Sequence, residues 1–198
     1  MPEYSLVEIF RSFQGEGRNT GRQVVFVRFA GCNLACPWCD TDKSPRFRLG
    51  LDALVAEVEA FGVRSVILTG GEPTQVERLA ELVAALKAAG FWIGVETNGT
   101  GEPGWLQFVD YVAVSPKLEY AERTVLKAAD EVRVVASGEE RAVVAFCRQM
   151  REQIAAADYY VSPCDLGGNI DFATAKAVLA QLPGWSLSVQ LHKLLGFR

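Results

Sequence analysis

Gly31-Cys32-Asn33-Leu34-Ala35-Cys36-Pro37-Trp38-Cys39-Asp40-Thr41 holds three of the chain's five cysteines, spaced C-x3-C-x2-C. Gaps that short rule out a rigid strand, so the segment wraps around something. Three thiolates converging on one point suit a soft metal or an iron–sulfur cluster. A four-iron cubane normally takes four thiolates, one per iron. With three local ligands one iron stays open, free to bind a substrate or cofactor. The competing reading is a structural zinc completed by Cys147, Cys164 or His192. Such sites usually pair C-x2-C with a second ligand pair downstream. That second pair is missing here, so a cluster on Cys32, Cys36 and Cys39 is expected.

Outward from this loop, apolar runs alternate with amphipathic stretches. Upstream, Val24-Val25-Phe26-Val27-Arg28-Phe29 is a strand by its β-branched and aromatic content. Downstream, the pattern predicts a helix over 51–61, with Asp52 in its first turn and Gly62 as its stop. Ser65-Val66-Ile67-Leu68 reads as a short strand buried on both faces. A helix is predicted over 75–89, with Leu79, Leu82, Val83 and Leu86 on one face and Gly90 ending it. Strands follow at 91–95, 111–114 and 132–135, a helix at 139–156, a strand at 159–161, a helix at 172–182 and a last strand at 187–191.

Strands alternating with helices imply parallel strands and right-handed crossovers. Six or seven strands fall short of a full barrel, and 198 residues lie below its usual ~250. The expected architecture is α/β: an incomplete, TIM-like barrel of about six parallel strands with helices outside. No linker or low-complexity stretch divides the chain, so residues 1–198 are expected to form one domain.

Composition excludes several classes. The apolar fraction is 49% and the charged fraction 22%, ordinary for a soluble globular protein. A net charge of −4 with scattered Lys and Arg gives no grip on nucleic acid. No run approaches the roughly 18 apolar residues of a membrane span, and Met1-Pro2-Glu3-Tyr4 does not open a secretion signal. An odd, clustered cysteine count argues against a disulfide framework and for a reducing cytoplasm.

The remaining motifs each have a plain reading. Thr69-Gly70-Gly71-Glu72-Pro73 follows a buried strand. It is either a strand-to-helix turn or a place where two glycines let a ligand approach the backbone. In Glu96-Thr97-Asn98-Gly99-Thr100, Asn-Gly alone marks a turn. Arg28 interrupts an apolar strand, and a charge there needs a partner: a carboxylate such as Glu16 or Glu8, or a bound substrate carboxylate held bidentately. Lys117 and the sole histidine, His192, carry weight only through their motifs. Cys147, among Val143, Val144 and Phe146, reads as buried and inert, and Cys164 is given no role.

C-x3-C-x2-C with an aromatic before the last Cys resembles the radical S-adenosylmethionine (SAM) enzymes. The ordered set narrows the likeness: Phe13-Gln14-Gly15-Glu16-Gly17, Cys39-Asp40-Thr41, Thr69 to Pro73, Glu96 to Thr100, Ser115-Pro116-Lys117 and Gln190-Leu191-His192-Lys193. Together these segments, spanning nearly the whole chain, look like the 7-carboxy-7-deazaguanine synthase family of the queuosine precursor pathway. The resemblance implies a [4Fe–4S] cluster on Cys32, Cys36 and Cys39, and SAM held by Trp38, Cys39, Asp40, Gly71, Glu96, Ser115, Pro116 and Lys117. It places Mg2+ on Thr41 and a pterin substrate against Phe13, Gln14, Gly15, Arg28, Thr69 and His192. It also implies conversion of 6-carboxy-5,6,7,8-tetrahydropterin to 7-carboxy-7-deazaguanine with loss of ammonia, a homodimer, and a flavodoxin or ferredoxin as electron donor. The alternative is an activating enzyme that installs a glycyl radical on a partner protein, which shares the cysteine motif and the Gly-Gly loop. In this family the C-terminal carboxylate, here on Arg198, has the reach to enter the pocket.

Overall fold

Strand and helix alternate because the apolar period alternates between two and about 3.6. In the computed structural model, residues 3–196 are described; the terminal carboxylate expectation lies outside them. The first half contains β1 (Glu3–Phe13), β2 (Gln23–Phe29), β3 (Phe47–Gly50), α1 (Leu51–Ala60), β4 (Ser65–Gly70), α2 (Leu79–Ala88) and β5 (Trp92–Thr97). There follow β6 (Tyr111–Val114), β7 (Glu131–Ala136), α3 (Glu140–Gln153), β8 (Asp158–Pro163), β9 (Asp165–Leu166) and β10 (Asn169–Ile170). The described chain closes with α4 (Phe172–Leu179), β11 (Ser186–Leu187) and α5 (Leu191–Leu195).

Nine strands form one sheet in the order β11-β8-β7-β6-β5-β4-β2-β1-β3. From β2 across to β11 every neighbour runs parallel. β1 is antiparallel to β2, and β3 to β1. β9 and β10 pair separately as a hairpin. This is the expected open barrel, with two antiparallel strands added at one edge.

Period-two alternation sorts the strand residues. Val25, Val27, Phe29, Val66, Leu68, Ile93 and Val95 pack outward with residues of α1 and α2. Val132, Val134 and Val161 do so with α3 and α4. Leu106 and Val109 pack against both clusters and join them. Burying each Leu, Ile, Val or Phe side chain contributes about 1.5–3 kcal/mol, so this outer layer carries the fold. The residues between them, Arg28, Thr69, Glu96 and Arg133, turn inward and line a cavity.

Two expectations are corrected, and β1 carries no clear strand signal in the sequence. Residues 3–13 show no clean alternation, yet they form the longest strand, 11 residues. A bulge between Leu6 and Glu8 resets the register, so adjacent Leu6 and Val7 are both buried and the period is masked. The strand predicted over 187–191 is paired only at Ser186 and Leu187, and Leu191 opens α5. The chain is drawn off the sheet there: Gly17 N–H donates to Ser188 Oγ (3.0 Å) and Leu191 N–H to the Gly15 carbonyl (3.2 Å). The helix predicted from 75 starts at Leu79, because Pro73–Gln75 is a separate 3-10 turn and Arg78 adopts φ +57°.

Candidate active site

The carboxyl ends of the parallel strands, where ligands bind in such sheets, surround a cavity of about 510 Å³. It is lined by every residue singled out above for the cluster, SAM, Mg2+ or substrate except Gly15 and Pro116. Cys32, Cys36 and Cys39 are free thiols and all three face it. Cys147 is fully buried among α3 core residues, its thiol pushed up to about 12 by burial, and Cys164 is buried outside the lining. The cavity therefore meets three thiols on one loop and no fourth, a donor set that fits a four-iron cluster with one open iron.

The cysteine loop is pinned from several sides. Gly31 N–H donates to the Lys43 carbonyl at its base (3.0 Å), and Cys39 N–H to the Cys36 carbonyl (3.2 Å). Asn33 Nδ2 donates to Thr100 Oγ1 (2.7 Å), while Asn98 Nδ2 donates to Asn33 Oδ1 (3.0 Å). A 3-10 segment at Leu118–Arg123 straps the far side. Glu119 accepts from Trp38 Nε1 (2.8 Å), and Arg123 donates to the Asn33 carbonyl (3.0 Å).

The two glycines where β4 ends, Gly70 and Gly71, serve the protein's own backbone. A Cβ on Gly71 would lie 1.3 Å from the Gly31 carbonyl oxygen, and Gly70 has φ +118°. The cysteine loop therefore packs directly onto this turn, and Glu72 N–H donates to the Gly31 carbonyl (3.0 Å). Glu72 itself is buried and joins the two motif loops. It accepts from Thr74 N–H (3.0 Å), Thr74 Oγ1 (2.8 Å), Thr97 Oγ1 (2.6 Å) and Asn98 N–H (2.7 Å). Sequence reading passed over Glu72 because one Glu in a turn carries no periodic signal.

On the inner wall, Glu96 accepts from Gln14 Nε2 (3.0 Å), Thr69 Oγ1 (2.9 Å) and Arg133 Nη2 (2.8 Å). Burial opposes its charge, but the Arg133 guanidinium and these hydrogen bonds outweigh it and hold the carboxyl at about 2. Arg133 also donates from Nη1 to Glu16 (2.6 Å). Arg28 pairs with Glu8 (2.8 Å) and both line the cavity, so its plain partner is present within reach of a ligand. Arg133 was missed although the signal that singled out Arg28, a charge inside an apolar strand, is present in Glu131-Val132-Arg133-Val134-Val135.

On the cluster side, Lys117 donates to Ser115 Oγ (2.8 Å), and its ammonium lies 5.1 Å from the Trp38 ring centre. Burial lowers the Lys117 pKa, opposed by the nearby Cys36 thiol. The C-terminal segment closes the rim. His192 packs on Gly15, where a Cβ would approach Nδ1 to 2.7 Å. Lys193 bridges Asp40 (2.5 Å) and Asp165 (2.6 Å). Burial works against the Asp40 charge, but Lys193 prevails and holds its pKa low.

Comparison with known proteins identifies similar chains. The radical SAM superfamily profile matches residues 26–136. A 7-carboxy-7-deazaguanine synthase from Neisseria meningitidis is 46% identical over 98% of this chain and 94% of its own length. One from Haemophilus influenzae is 40% identical over the same shares. The crystal structure of QueE from Escherichia coli superposes with a TM-score of 0.74 at 26% identity, covering 95% of this chain and 94% of that one.

Proposed function

The chain belongs to the radical SAM superfamily and, within it, to the 7-carboxy-7-deazaguanine synthases, and from that premise we propose how its cavity divides the work. It is a radical SAM lyase of queuosine precursor synthesis; the glycyl-radical activating alternative is not favoured. The reaction is the ring contraction of 6-carboxy-5,6,7,8-tetrahydropterin to 7-carboxy-7-deazaguanine with release of ammonia. Cys32, Cys36 and Cys39 would hold a [4Fe–4S] cluster, which together with SAM would supply the one-electron, hydrogen-abstracting chemistry of the reaction.

The chain's own residues bind, orient and shield. Trp38, Asp40, Gly71, Ser115, Pro116 and Lys117 make up the proposed SAM side. Phe13, Gln14, Gly15, Arg28, Thr69 and His192 make up the proposed pterin side. Arg28, paired to Glu8 at 2.8 Å, offers its remaining N–H donors to the substrate carboxylate. Glu96 was expected on SAM, but its hydrogen bonds from Gln14 and Thr69 support a place on the pterin side. Thr41, half-buried beside the exposed Asp40 with Oγ1 3.4 Å from its carboxylate, would offer Mg2+ one oxygen; substrate and water would supply the rest.

Three further parts of the proposal reach beyond the cavity. Clustered free thiols favour a reducing cytoplasm. The sheet ends β3 and β11 are edges that a second copy would cover in a homodimer. The electron donor is a flavodoxin or ferredoxin.

The observation that carries the reading is one cavity lined jointly by the three thiols and by both residue sets, Gly15 and Pro116 excepted. The test is anaerobic cluster reconstitution, reduction and incubation with SAM, Mg2+ and 6-carboxytetrahydropterin, followed by mass spectrometry. The expected product is lighter by one ammonia, with little net SAM consumed, and Cys36→Ala abolishes it. SAM cleavage with an untouched pterin would refute the substrate.

A further inference from the structure

Arg133 stands at the centre of the barrel interior with its side chain 5% exposed, facing three carboxylates. A buried ion cluster is a poor way to stabilise a core, because desolvation offsets most of the Coulomb attraction. Here the carboxylates divide into an anchor and two working groups. Glu131, two residues back on β7, is the anchor: its side chain is 2% exposed and its Oε1 lies 2.9 Å from Arg133 Nε. Its Oε2 accepts from Tyr111 OH (2.6 Å) and from Arg18 N–H (2.9 Å). Gly17 makes room for it, since a Cβ there would lie 2.2 Å from the carboxylate. Glu131 is absent from the cavity wall, whereas Glu16, Glu96 and Arg133 are on it. The Glu131 carboxylate is an ion-pair partner only, since Arg133 Nε is not aligned for a hydrogen bond to it, whereas the two terminal nitrogens donate to Glu16 (2.6 Å) and Glu96 (2.8 Å).

We propose that Arg133 is the positioning residue of the pterin pocket: anchored by Glu131, its guanidinium fork holds Glu16 and Glu96 as oriented, acceptor-only groups that select a ring edge presenting N–H donors. This rests on the assignment of the pterin side above. A planar fork holds two carboxylates in one geometry as lysine's point charge does not. Arg133 touches neither a cluster thiol nor, on this account, the substrate; it acts through the two glutamates.

The test compares wild type, Arg133→Gln, Arg133→Lys and Glu131→Gln, each reconstituted anaerobically and checked for iron content and for the spectral change of the reduced cluster on adding SAM. In Arg133→Gln the KM for 6-carboxytetrahydropterin rises about tenfold or more, the effect of losing one charge-assisted hydrogen bond. The KM for SAM moves less than about twofold, as for sites that do not share a partner. A purely structural role would not move the pH profile. Without the guanidinium, burial dominates at Glu96, its pKa rises, and kcat/KM gains an acidic limb that wild type lacks above pH ~5. Arg133→Lys rescues the limb but not the full KM, and Glu131→Gln shifts KM in the same direction by less. If Arg133→Gln does not fold, the last two variants carry the test. An unmoved pterin KM and pH profile in the folded variants, or equal losses for SAM and pterin, overturns the proposal. Absence of pterin turnover by wild type overturns the functional reading, and the proposal with it.

Discussion

Glu72 shows how much one side chain decides at this site. It is 1% exposed, and its two oxygens take four hydrogen bonds from two loops. In Glu72→Gln an NH2 group replaces one oxygen and faces donors, at about 1–3 kcal/mol for each donor left unsatisfied. Thermal melts of the variant are expected to shift down by several degrees, and SAM titration of the reduced cluster to show weaker binding. Retention of both would mean the loops hold without it. Glu96 makes the pH prediction. Its folded-state pKa, about 2, lies below the ordinary 4.5. Its contribution is therefore complete above pH ~4.5 and lost as pH falls towards ~2. Urea denaturation at a series of pH values should show the stability gap between wild type and Glu96→Gln closing over that window.

Among the elements, α5 matters more than its length suggests. Five residues cannot form a stable helix alone, and it is held by what it docks against. Lys193 bridges Asp40 of the cysteine loop and Asp165 of β9, and Leu191 N–H bonds to the Gly15 carbonyl. Lys193 and Asp40 are partly exposed, so the ion pair is worth only about 1 kcal/mol or less. Lys193→Ala is thus expected to leave the melting temperature within ~2–4 °C while loosening residues 32–41. Hydrogen exchange by mass spectrometry should report faster uptake there, with reduced turnover. Unchanged exchange in the cysteine loop would detach α5 from the site.

At the scale of the molecule, one sheet runs unbroken through both apolar clusters, and Leu106 and Val109 touch each. Residues 3–196 are therefore expected to unfold as one unit, with calorimetric and van 't Hoff enthalpies in agreement. Leu68→Ala, at a fully buried position of β4, should lower stability by about 2–5 kcal/mol through lost burial and the cavity left behind. The transition should stay single. A second, separate transition would divide the chain at the junction of the two clusters.

What the sequence determined by itself was local. C-x3-C-x2-C sets three thiols within one loop whatever surrounds it, and the alternation of strand and helix periods compels a parallel sheet with its ligand edge at the strand ends. The order of motifs along the chain was enough to mark most of the cavity wall. Tertiary structure decided the rest. Arg133 reaches Glu16 across 117 positions and Glu96 across 37. Glu131 fills the space Gly17 leaves, and Gly71 yields its side-chain volume to the backbone at Gly31. Periodicity reports which face a residue occupies, not which distant residue it meets there, and a single bulge after Leu6 was enough to hide β1. The charge partners of the pocket come from segments that meet only when the sheet curls, so their pairing belongs to the fold.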